Sequence, residues 1–298
     1  MRAARTAAEV AQALGGARRS GQWWRCRCPV HRSSGPTLAL RDGACGVMVY
    51  CHAGCSRGDV FAELRRRGLI GGISNHAEPA PAMADADQRA DIARRLTLAR
   101  RIWDAAFNAR GTPVGNYLAG RGISSLPVPP SLRWAPRCWH PSRIYLPAMV
   151  GLVVNVNGEL IGVHRTFLRP DGSGKADIDP QKASLGPIAG GAVRMGELRP
   201  QAPLIVAEGI ESALAMSKLT GWPAWAALCA SGVERLSLPH DARNIVIAVD
   251  RDHTGIGEAS ARRAASRWVS ERRRVRLVIP NRIGTDANDL LQEARRGA

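Results

Sequence analysis

Acidic residues stand directly after predicted strands in the C-terminal third of the sequence. Asp250 and Asp252 follow the short apolar run 244–249, Glu208 follows another apolar run, and Asp286 lies in the loop after a third. In extended chain, residues two apart point to the same side, with their Cα atoms about 6–7 Å apart. Such carboxylates could hold Mg²⁺ or Mn²⁺, and paired ions stabilise both oxygens of a phosphoryl transfer. Alternatively, Asp250 and Asp252 only cap the next helix.

A parallel sheet would bring these acids together. From residue 204 onward, predicted strands alternate with predicted helices: strands 204–207, 224–227, 244–249 and 275–279, and helices 210–219, 256–270 and 288–295. That alternation is typical of a parallel, Rossmann-like sheet with helices on both faces, whose ligands bind at the carboxyl ends of the strands. If Glu208 is not a metal ligand, it could act as general base or acid. Dinucleotide binding is disfavoured, because the glycine pattern around Gly255 is incomplete.

A second group of residues, near the N-terminus, has the spacing of a structural zinc site. Cys28 and His31 form one close pair, and Cys51 and Cys55 form another. Two apolar runs, 37–40 and 47–50, predict a β-hairpin that brings the pairs together, as in a zinc ribbon. Cys26, Cys45 and His52 are spare candidates.

Between these groups the sequence predicts a linker and a basic, β-rich segment. We expect a flexible linker over residues 73–89, then helices over 90–108 and 114–118, then strands over 144–146, 151–156 and 160–167. His164, Arg165, Lys175 and Lys182 lie among glycines, which suits phosphate. The prediction is an α/β multidomain protein with four segments: a zinc-ribbon DNA-binding domain (1–72), the linker (73–89), a helical and β-rich basic subdomain (90–200) and a catalytic domain (201–298).

The charge of the chain predicts a polyanionic partner. The 298 residues carry a formal net charge of +17, which favours association with nucleic acid. Trp23 and Trp24, beside arginines, could stack on bases of a single strand or could form the small core of the zinc module. No apolar run is long enough to cross a membrane and no signal peptide is visible, so we expect a cytoplasmic protein without a membrane partner.

These motifs together resemble a known family. Ala207-Glu208-Gly209, Asp250-x-Asp252-x-x-Gly255 and Gly284-x-Asp286 resemble the Toprim domain shared by bacterial primases, topoisomerases and some nucleases. Cys28-Pro-x-His31 with Cys51 and Cys55 resembles the CHC2 zinc-binding domain that precedes Toprim in bacterial-type primases. The segment 157–165 and the Gln181-Lys182 pair are similar to the basic subdomain there. The resemblance, to compact phage- and plasmid-type primases, covers most of residues 25–291.

The resemblance implies a Mg²⁺-dependent primase that synthesises short RNA primers on single-stranded DNA from nucleoside triphosphates. It implies four catalytic residues (Glu208, Asp250, Asp252 and Asp286), Mg²⁺ held by the three aspartates, and four nucleotide or template contacts (Arg165, Lys182, His164 and Lys175). The last acidic motif departs from the family pattern, because Asn288 replaces its second acid. Either the Asn288 carbonyl oxygen or the carboxylate of Asp289, which follows it, is then the candidate Mg²⁺ ligand. Ser212 stands where an accessory acid often follows the glutamate, with Glu211 beside it.

Other functions remain open at this point. A Toprim nuclease has the same acids, and a non-catalytic DNA-binding replication protein could keep the fold. A topoisomerase is disfavoured, because none of the three tyrosines, Tyr50, Tyr117 and Tyr145, has a recognisable catalytic setting. The sequence contains no G-x-x-x-x-G-K-[ST] phosphate loop, so the expected partner is a separate replicative helicase.

Overall fold

The computed structural model describes residues 6–21, 23–33, 35–43, 46–51, 53, 55–70, 81–123, 127–251, 255–285 and 289. The chain divides into two compact units, residues 1–90 and 91–298. Both contain helices and strands, so the predicted α/β class is confirmed. No helix within the described ranges combines the length and apolar character needed to span a membrane.

The first unit is a four-stranded antiparallel sheet flanked by two helices. Its elements are α1 (Ala7–Leu14), β1 (Arg18–Ser20), β2 (Trp23–Cys26), β3 (Leu38–Gly43), β4 (Gly46–Cys51) and α2 (Arg57–Arg66). The strands pair in sequence order, and β3 and β4 are the predicted hairpin. Helix α1 begins with a capping box, in which Thr6 and Glu9 each accept a hydrogen bond from the other's backbone N–H.

The core of this unit is small. It is built from Leu38, Leu40 and Val49 of the hairpin with Val60 and Leu64 of α2, and side chains of α1 complete it. Trp24 is half-buried against this core, which supports the structural interpretation for that residue. Trp23 lies under the guanidinium of Arg41, whose Cζ is 4.8 Å from the ring centroid. Because this core is small, we expect metal binding to supply much of the folding free energy of the first unit.

A helix occupies the second half of the predicted linker. Helix α3 runs from Pro81 to Asp104, so residues 81–89 are helical rather than an extended connection. The sequence explains the earlier start, because proline is favoured at the first helical position and the residues after it are rich in alanine. The helix also ends four residues before the predicted end at Asn108. Residues 71–80 lie outside the described ranges.

The second unit carries the remaining elements. They are β5 (Phe107–Asn108), α4 (Pro113–Gly120), β6 (Leu132–Trp139), β7 (Tyr145–Val154), β8 (Leu160–Phe167), β9 (Lys182–Leu185), β10 (Ala192–Met195), β11 (Leu204–Ala207), α5 (Ile210–Thr220), β12 (Ala224–Ala226), α6 (Ala230–Arg235), β13 (Asn244–Ala248), α7 (Ile256–Ser270) and β14 (Arg274–Val278).

In the described part of this unit, all ten strands form one sheet. Its order is β14-β13-β11-β12-β10-β7-β6-β5, with β8 paired to β7 and β9 to β8. The first four strands pair in parallel, as the alternation of strands and helices predicts. Strand β10 is antiparallel to both β12 and β7, and it therefore joins the parallel part to the β-rich segment without a break.

The parallel part is covered on both faces. Side chains alternate along β11 and β13, so Ile205 and Val246 contribute to a core with α4 and α5. Val206 and Ile247 contribute to a second core, with α7 and its fully buried Trp268. Because both faces of these strands are buried, every position along them is apolar, and their sequences are continuous apolar runs.

The strands predicted for the β-rich segment differ from the structure. The runs 144–146 and 151–156 correspond to the single strand β7, and strands β5, β6, β9 and β10 were not predicted. Strand β6 contains Pro136 within an irregularity between Ala135 and Cys138, and proline together with a bulge obscures the alternation by which a strand is recognised. The predicted helix 288–295 lies outside the described residues except for Asp289.

Candidate functional site

The four predicted zinc ligands lie together at one end of the hairpin in the first unit. The nearest ligand atoms of Cys28, His31, Cys51 and Cys55 are all within 4.8 Å of one another. The Nδ1 atom of His31 lies 3.1 Å from the Cys55 Sγ and 3.7 Å from the Cys51 Sγ. A Cys₃His set of this size matches tetrahedral zinc. Cys26 is instead in the core, and Cys45 and His52 lie outside the described residues.

A chain of hydrogen bonds fixes the tautomer of His31. The Thr37 hydroxyl donates to the Ser33 Oγ at 2.8 Å, and the Ser33 hydroxyl donates to the carbonyl of Gly35 at 2.8 Å. Because the only hydroxyl proton of Thr37 is used in this way, its Oγ1 must accept the contact of 3.1 Å from the His31 Nε2. The proton is therefore on Nε2, and the lone pair of Nδ1 is available for the metal.

The cysteines of this unit differ in acidity. The Cys28 thiol donates a hydrogen bond that lowers the pKa of Cys51 to about 3, against the opposing effect of burial. The same hydrogen bond, with burial, raises the pKa of Cys28. Burial raises the pKa of Cys26 to about 12, against the opposing effect of the Arg25 charge. A thiolate is thus already favoured within the ligand set, whereas Cys26 stays a neutral thiol, as expected of a core residue.

The second site is the carboxyl edge of the parallel sheet. Ala207 and Ala248 are paired in neighbouring strands, so Glu208 and Asp250 leave the sheet side by side, one and two residues later. The Ser212 hydroxyl, in the first turn of α5, donates to the Asp250 Oδ1 at 3.2 Å. The sequence predicted both acids at this edge but did not predict the serine as a partner of Asp250.

The loop after β14 returns to the same edge. Arg251 and Thr285 form an isolated antiparallel bridge, and the Arg251 guanidinium donates to the carbonyls of Pro280 and Asn281 at 3.1 and 2.7 Å. Asp252 and Asp286 lie outside the described residues. In the sequence each of them directly follows a residue of this bridge. Asp289 is among the described residues, and its role as a metal ligand stays a prediction.

Gly257 allows α7 to begin close to these acids. A Cβ atom at this position would lie 2.6 Å from the Asp250 carbonyl oxygen and 4.0 Å from the Glu208 Oε2. Glycine at the start of α7 therefore permits a close backbone approach. Gly257 lies two residues after Gly255, in the glycine pattern considered above for dinucleotide binding, and the close approach to Asp250 gives it a different role.

We expect Gly257→Ala to destabilise the protein by about 1–3 kcal/mol, because the new methyl group must displace backbone. Gly115→Ala in α4 is the matched control, since a Cβ there meets nothing within 4 Å and alanine is the better helix former. Urea unfolding of both variants measures the difference. Equal stabilities of the two variants would contradict the close approach.

A buried charge network lies beside the acidic edge. Glu211 is only 3% exposed and accepts a hydrogen bond of 2.5 Å from the Tyr117 hydroxyl. The Nζ atoms of Lys175 and Lys182 lie 3.5 and 3.4 Å from its carboxylate oxygens. Burial alone would raise the pKa of Glu211, but the two lysines and Tyr117 outweigh it and hold the pKa below its usual range. Glu211 therefore points to the lysines, while its neighbour Ser212 contacts Asp250.

The other two predicted basic contacts are in the interior. Arg165 is 5% exposed, and its guanidinium donates to the carbonyls of Trp139 and Ala183 at 2.7 and 3.3 Å. His164 lies 2.8 Å from the Ser184 Oγ, and burial, with Lys182 nearby, lowers its pKa to about 3. His164 is therefore neutral at physiological pH, and a phosphate contact by either residue stays a prediction that this conformation does not favour.

Glu211→Gln is expected to lower stability by about 3–5 kcal/mol at neutral pH, because two partly buried lysines lose their counter-charge. The lowered pKa of Glu211 means that its contribution is complete above the unfolded-state pKa, near 4.3, and is lost as the pH falls through the lower folded-state value. The stability difference from wild type should therefore stay constant between about pH 8 and pH 5.

The matched control is Glu258→Gln, which removes an exposed ion pair with Arg262 in α7 and should change stability by less than about 1 kcal/mol. Denaturant unfolding of the three proteins across this pH range is the measurement. A cost for Glu211→Gln no larger than that of the control would show that the network contributes little.

The fold and the two sites together define an α/β protein with a Cys₃His cluster and an acidic edge on a parallel sheet. Residues 203–297 match the family model of the Toprim domain, and residues 93–195 match that of a domain of unknown function, DUF7146. The predicted resemblance to Toprim primases with a zinc-binding domain is thus confirmed in its Toprim and Cys₃His parts. No curated protein matches the sequence.

Solved structures of primases are similar to this chain at low identity. The zinc-binding and RNA polymerase domains of the Aquifex aeolicus primase are 15% identical, with 96% of this chain and 80% of that chain covered and a TM-score of 0.45. The DnaG primase catalytic domain bound to single-stranded DNA is 17% identical, with 71% of this chain and 81% of that chain covered and a TM-score of 0.40. The primase fragment of the bacteriophage T7 primase-helicase protein is 15% identical, with 65% of this chain and 70% of that chain covered and a TM-score of 0.39. The assignment of residues 203–297 rests on the Toprim match, not on these likenesses.

Proposed function

We propose that this protein is a primase-like nucleotidyltransferase that synthesises short RNA primers on single-stranded DNA. In this proposal residues 1–72 form a zinc-binding module that engages the template, residues 90–200 supply a basic surface, and residues 201–298 are catalytic. The net charge of +17 supports a nucleic-acid template, and the free thiols of the described cysteines fit a reducing, cytoplasmic setting.

One observation supports the proposal: two acidic residues, Glu208 and Asp250, leave paired parallel strands at one edge of the segment that matches the Toprim model. The bridged residues Arg251 and Thr285 directly precede Asp252 and Asp286 in the sequence, and we expect these two acids at the same edge. Carboxylate oxygens in this number are ligands that Mg²⁺ and Mn²⁺ prefer. The donor set thus fits a divalent ion, which would neutralise charge on the reacting phosphates.

The protein's own groups have separate tasks in this proposal. Asp250, Asp252 and Asp286 would hold the ion, with Asp289 as a further candidate, and the Ser212 hydroxyl orients the Asp250 carboxylate. Glu208 would accept the proton of the attacking 3′-hydroxyl. In this proposal Glu208 is not a ligand of the ion, which the aspartates alone would hold.

Lys175 and Lys182 are the predicted cations best placed for the triphosphate of the incoming nucleotide. Their side chains remain 25% and 36% exposed, and both contact Glu211, whose neighbour Ser212 contacts Asp250. The lysines therefore lie beside the acidic edge with part of each side chain accessible. Lysine binds phosphate as a point charge without strict geometry. A separate replicative helicase is the expected protein partner.

The deciding experiment incubates the protein with single-stranded DNA, labelled ribonucleoside triphosphates and Mg²⁺ or Mn²⁺. We expect labelled oligoribonucleotides that disappear when the metal or the template is omitted. Parallel reactions with end-labelled DNA and no triphosphates test the nuclease alternative. Cleavage without synthesis would replace the proposal by that alternative, and neither activity would favour a non-catalytic DNA-binding protein.

A further inference from the structure

The tip of the hairpin formed by β6 and β7 carries an exposed group of aromatic and cationic side chains outside the sites described above. Trp139 and Tyr145 are 44% and 54% exposed, and Ile144 between them is 45% exposed. The two rings belong to residues paired across the hairpin, with centroids 5.0 Å apart and an edge-to-face angle of 67°. Single exposed apolar residues are ordinary, but a contiguous group of them marks a surface that meets a partner.

Arginines accompany these rings. The Cζ atom of Arg137 lies 4.8 Å from the centroid of the Tyr145 ring, and both Arg137 and Arg143 are exposed. Arg143 adopts a left-handed backbone conformation, with φ of 66°, which is uncommon for a residue with a side chain. We call Arg137, Trp139, Ile144 and Tyr145 the hairpin platform.

Buried polar contacts hold the platform rigid. The ring of His140 is fully buried, and its Nε2 lies 2.9 Å from the Pro180 carbonyl while its Nδ1 accepts from the Ser142 backbone at 2.9 Å. The interior guanidinium of Arg165 donates to the Trp139 carbonyl at 2.7 Å. The exposed rings therefore stand on a fixed backbone, and binding would cost little ordering of the hairpin.

We propose that the hairpin platform binds unpaired bases of single-stranded nucleic acid by stacking. Aromatic faces beside arginines are the means by which proteins hold single strands without reading their sequence, and the net charge of +17 favours a polyanion over other partners. Asp177 and Asp179 precede Pro180 in the adjoining loop, so charge at the platform is mixed and the ring faces supply most of the affinity.

The inference rests on the proposed function only in taking single-stranded DNA as the partner, so it is tested by binding without nucleoside triphosphates. Fluorescence anisotropy of a labelled strand of roughly 20 nucleotides, long enough for several stacking contacts, gives the dissociation constant. Trp139→Ala and Tyr145→Ala should each weaken binding about tenfold, and Trp139→Phe and Tyr145→Phe should stay within about threefold of wild type because they keep a ring.

Phe107→Ala is the matched control, because Phe107 is 62% exposed on β5 of the same sheet. Its affinity should equal that of wild type, and thermal unfolding of every variant shows whether the fold is kept. Stacking also predicts that the loss in Trp139→Ala is the same at low and high salt, and that binding of the matching duplex is unaffected.

Photocrosslinking provides a readout that needs no substitution. A strand containing 5-iodouracil should crosslink to the wild-type protein within residues 137–145, as mapped by mass spectrometry. Wild-type affinity in both alanine variants, an equal loss in Phe107→Ala, or crosslinks elsewhere only would overturn the inference and leave the platform to a protein partner. If wild type makes no primers but the alanine variants lose affinity, the proposed function fails and the platform stands.

Discussion

Asp250→Asn should lower primer synthesis by on the order of a thousandfold while leaving the affinity for single-stranded DNA unchanged. The carboxylate is expected to hold the divalent ion, whose stabilisation of transition-state charge is worth several kcal/mol. The fold should survive, because asparagine has the same shape and can still accept the hydrogen bond from the Ser212 hydroxyl. The assay is incorporation of labelled ribonucleotide at saturating template.

Asp91→Asn is the control for this prediction. Asp91 lies in α3 and forms exposed ion pairs with Arg94 and Arg95, which contribute little to stability, so its synthesis rate should equal that of wild type. If Asp250→Asn retained more than about a tenth of the wild-type rate, a catalytic ion at this edge would be ruled out. A parallel loss of DNA affinity would instead indicate misfolding.

Removal of zinc should unfold the first unit and leave the second folded. Structural zinc contributes on the order of 10 kcal/mol or more in small modules, and the core around Leu38, Leu40 and Val49 is small. We expect a strong chelator to abolish hydrogen-exchange protection over residues 6–70, with protection over residues 127–251 unchanged.

Two cysteine variants separate a ligand from a core residue. Cys51→Ala should lose the metal, whereas Cys26→Ala should keep one zinc per chain and lose only packing, about 1 kcal/mol for a small buried side chain. Metal analysis of the purified proteins measures this directly. Equal zinc content in wild type and Cys51→Ala would show that the four side chains are not the ligands.

Local patterns in the sequence were sufficient for much of the fold. Strand β13, which precedes Asp250, and helix α7 were predicted nearly to the residue. A short apolar run specifies the strand, and a glycine followed by a helical repeat specifies the helix, all within about 30 consecutive residues. Cys28 and His31 were found in the same way, from their spacing. Each of these features is a property of neighbouring residues, which sequence patterns report well.

Features that depend on distant pairing were not predicted. The junction of β10 with β12 and β7 joins residues far apart in the chain, and no local signal specifies it. The division of roles between Glu211 and Ser212 was missed for another reason. Successive residues of a helix point about 100° apart, so Ser212 contacts Asp250 while Glu211 contacts the two lysines. Burial of Arg165 likewise depends on the strands around it, not on its own neighbours.

The unbroken sheet of the second unit also determines where the protein can be divided. Strand β10 lies between β7 and β12, so a fragment beginning at residue 201 would leave β12 with an open edge of unpaired backbone groups. Such edges promote aggregation. The Toprim segment is thus a family unit by sequence match, but a fragment keeps every strand of this sheet paired only if it contains β5 to β14, residues 107–278.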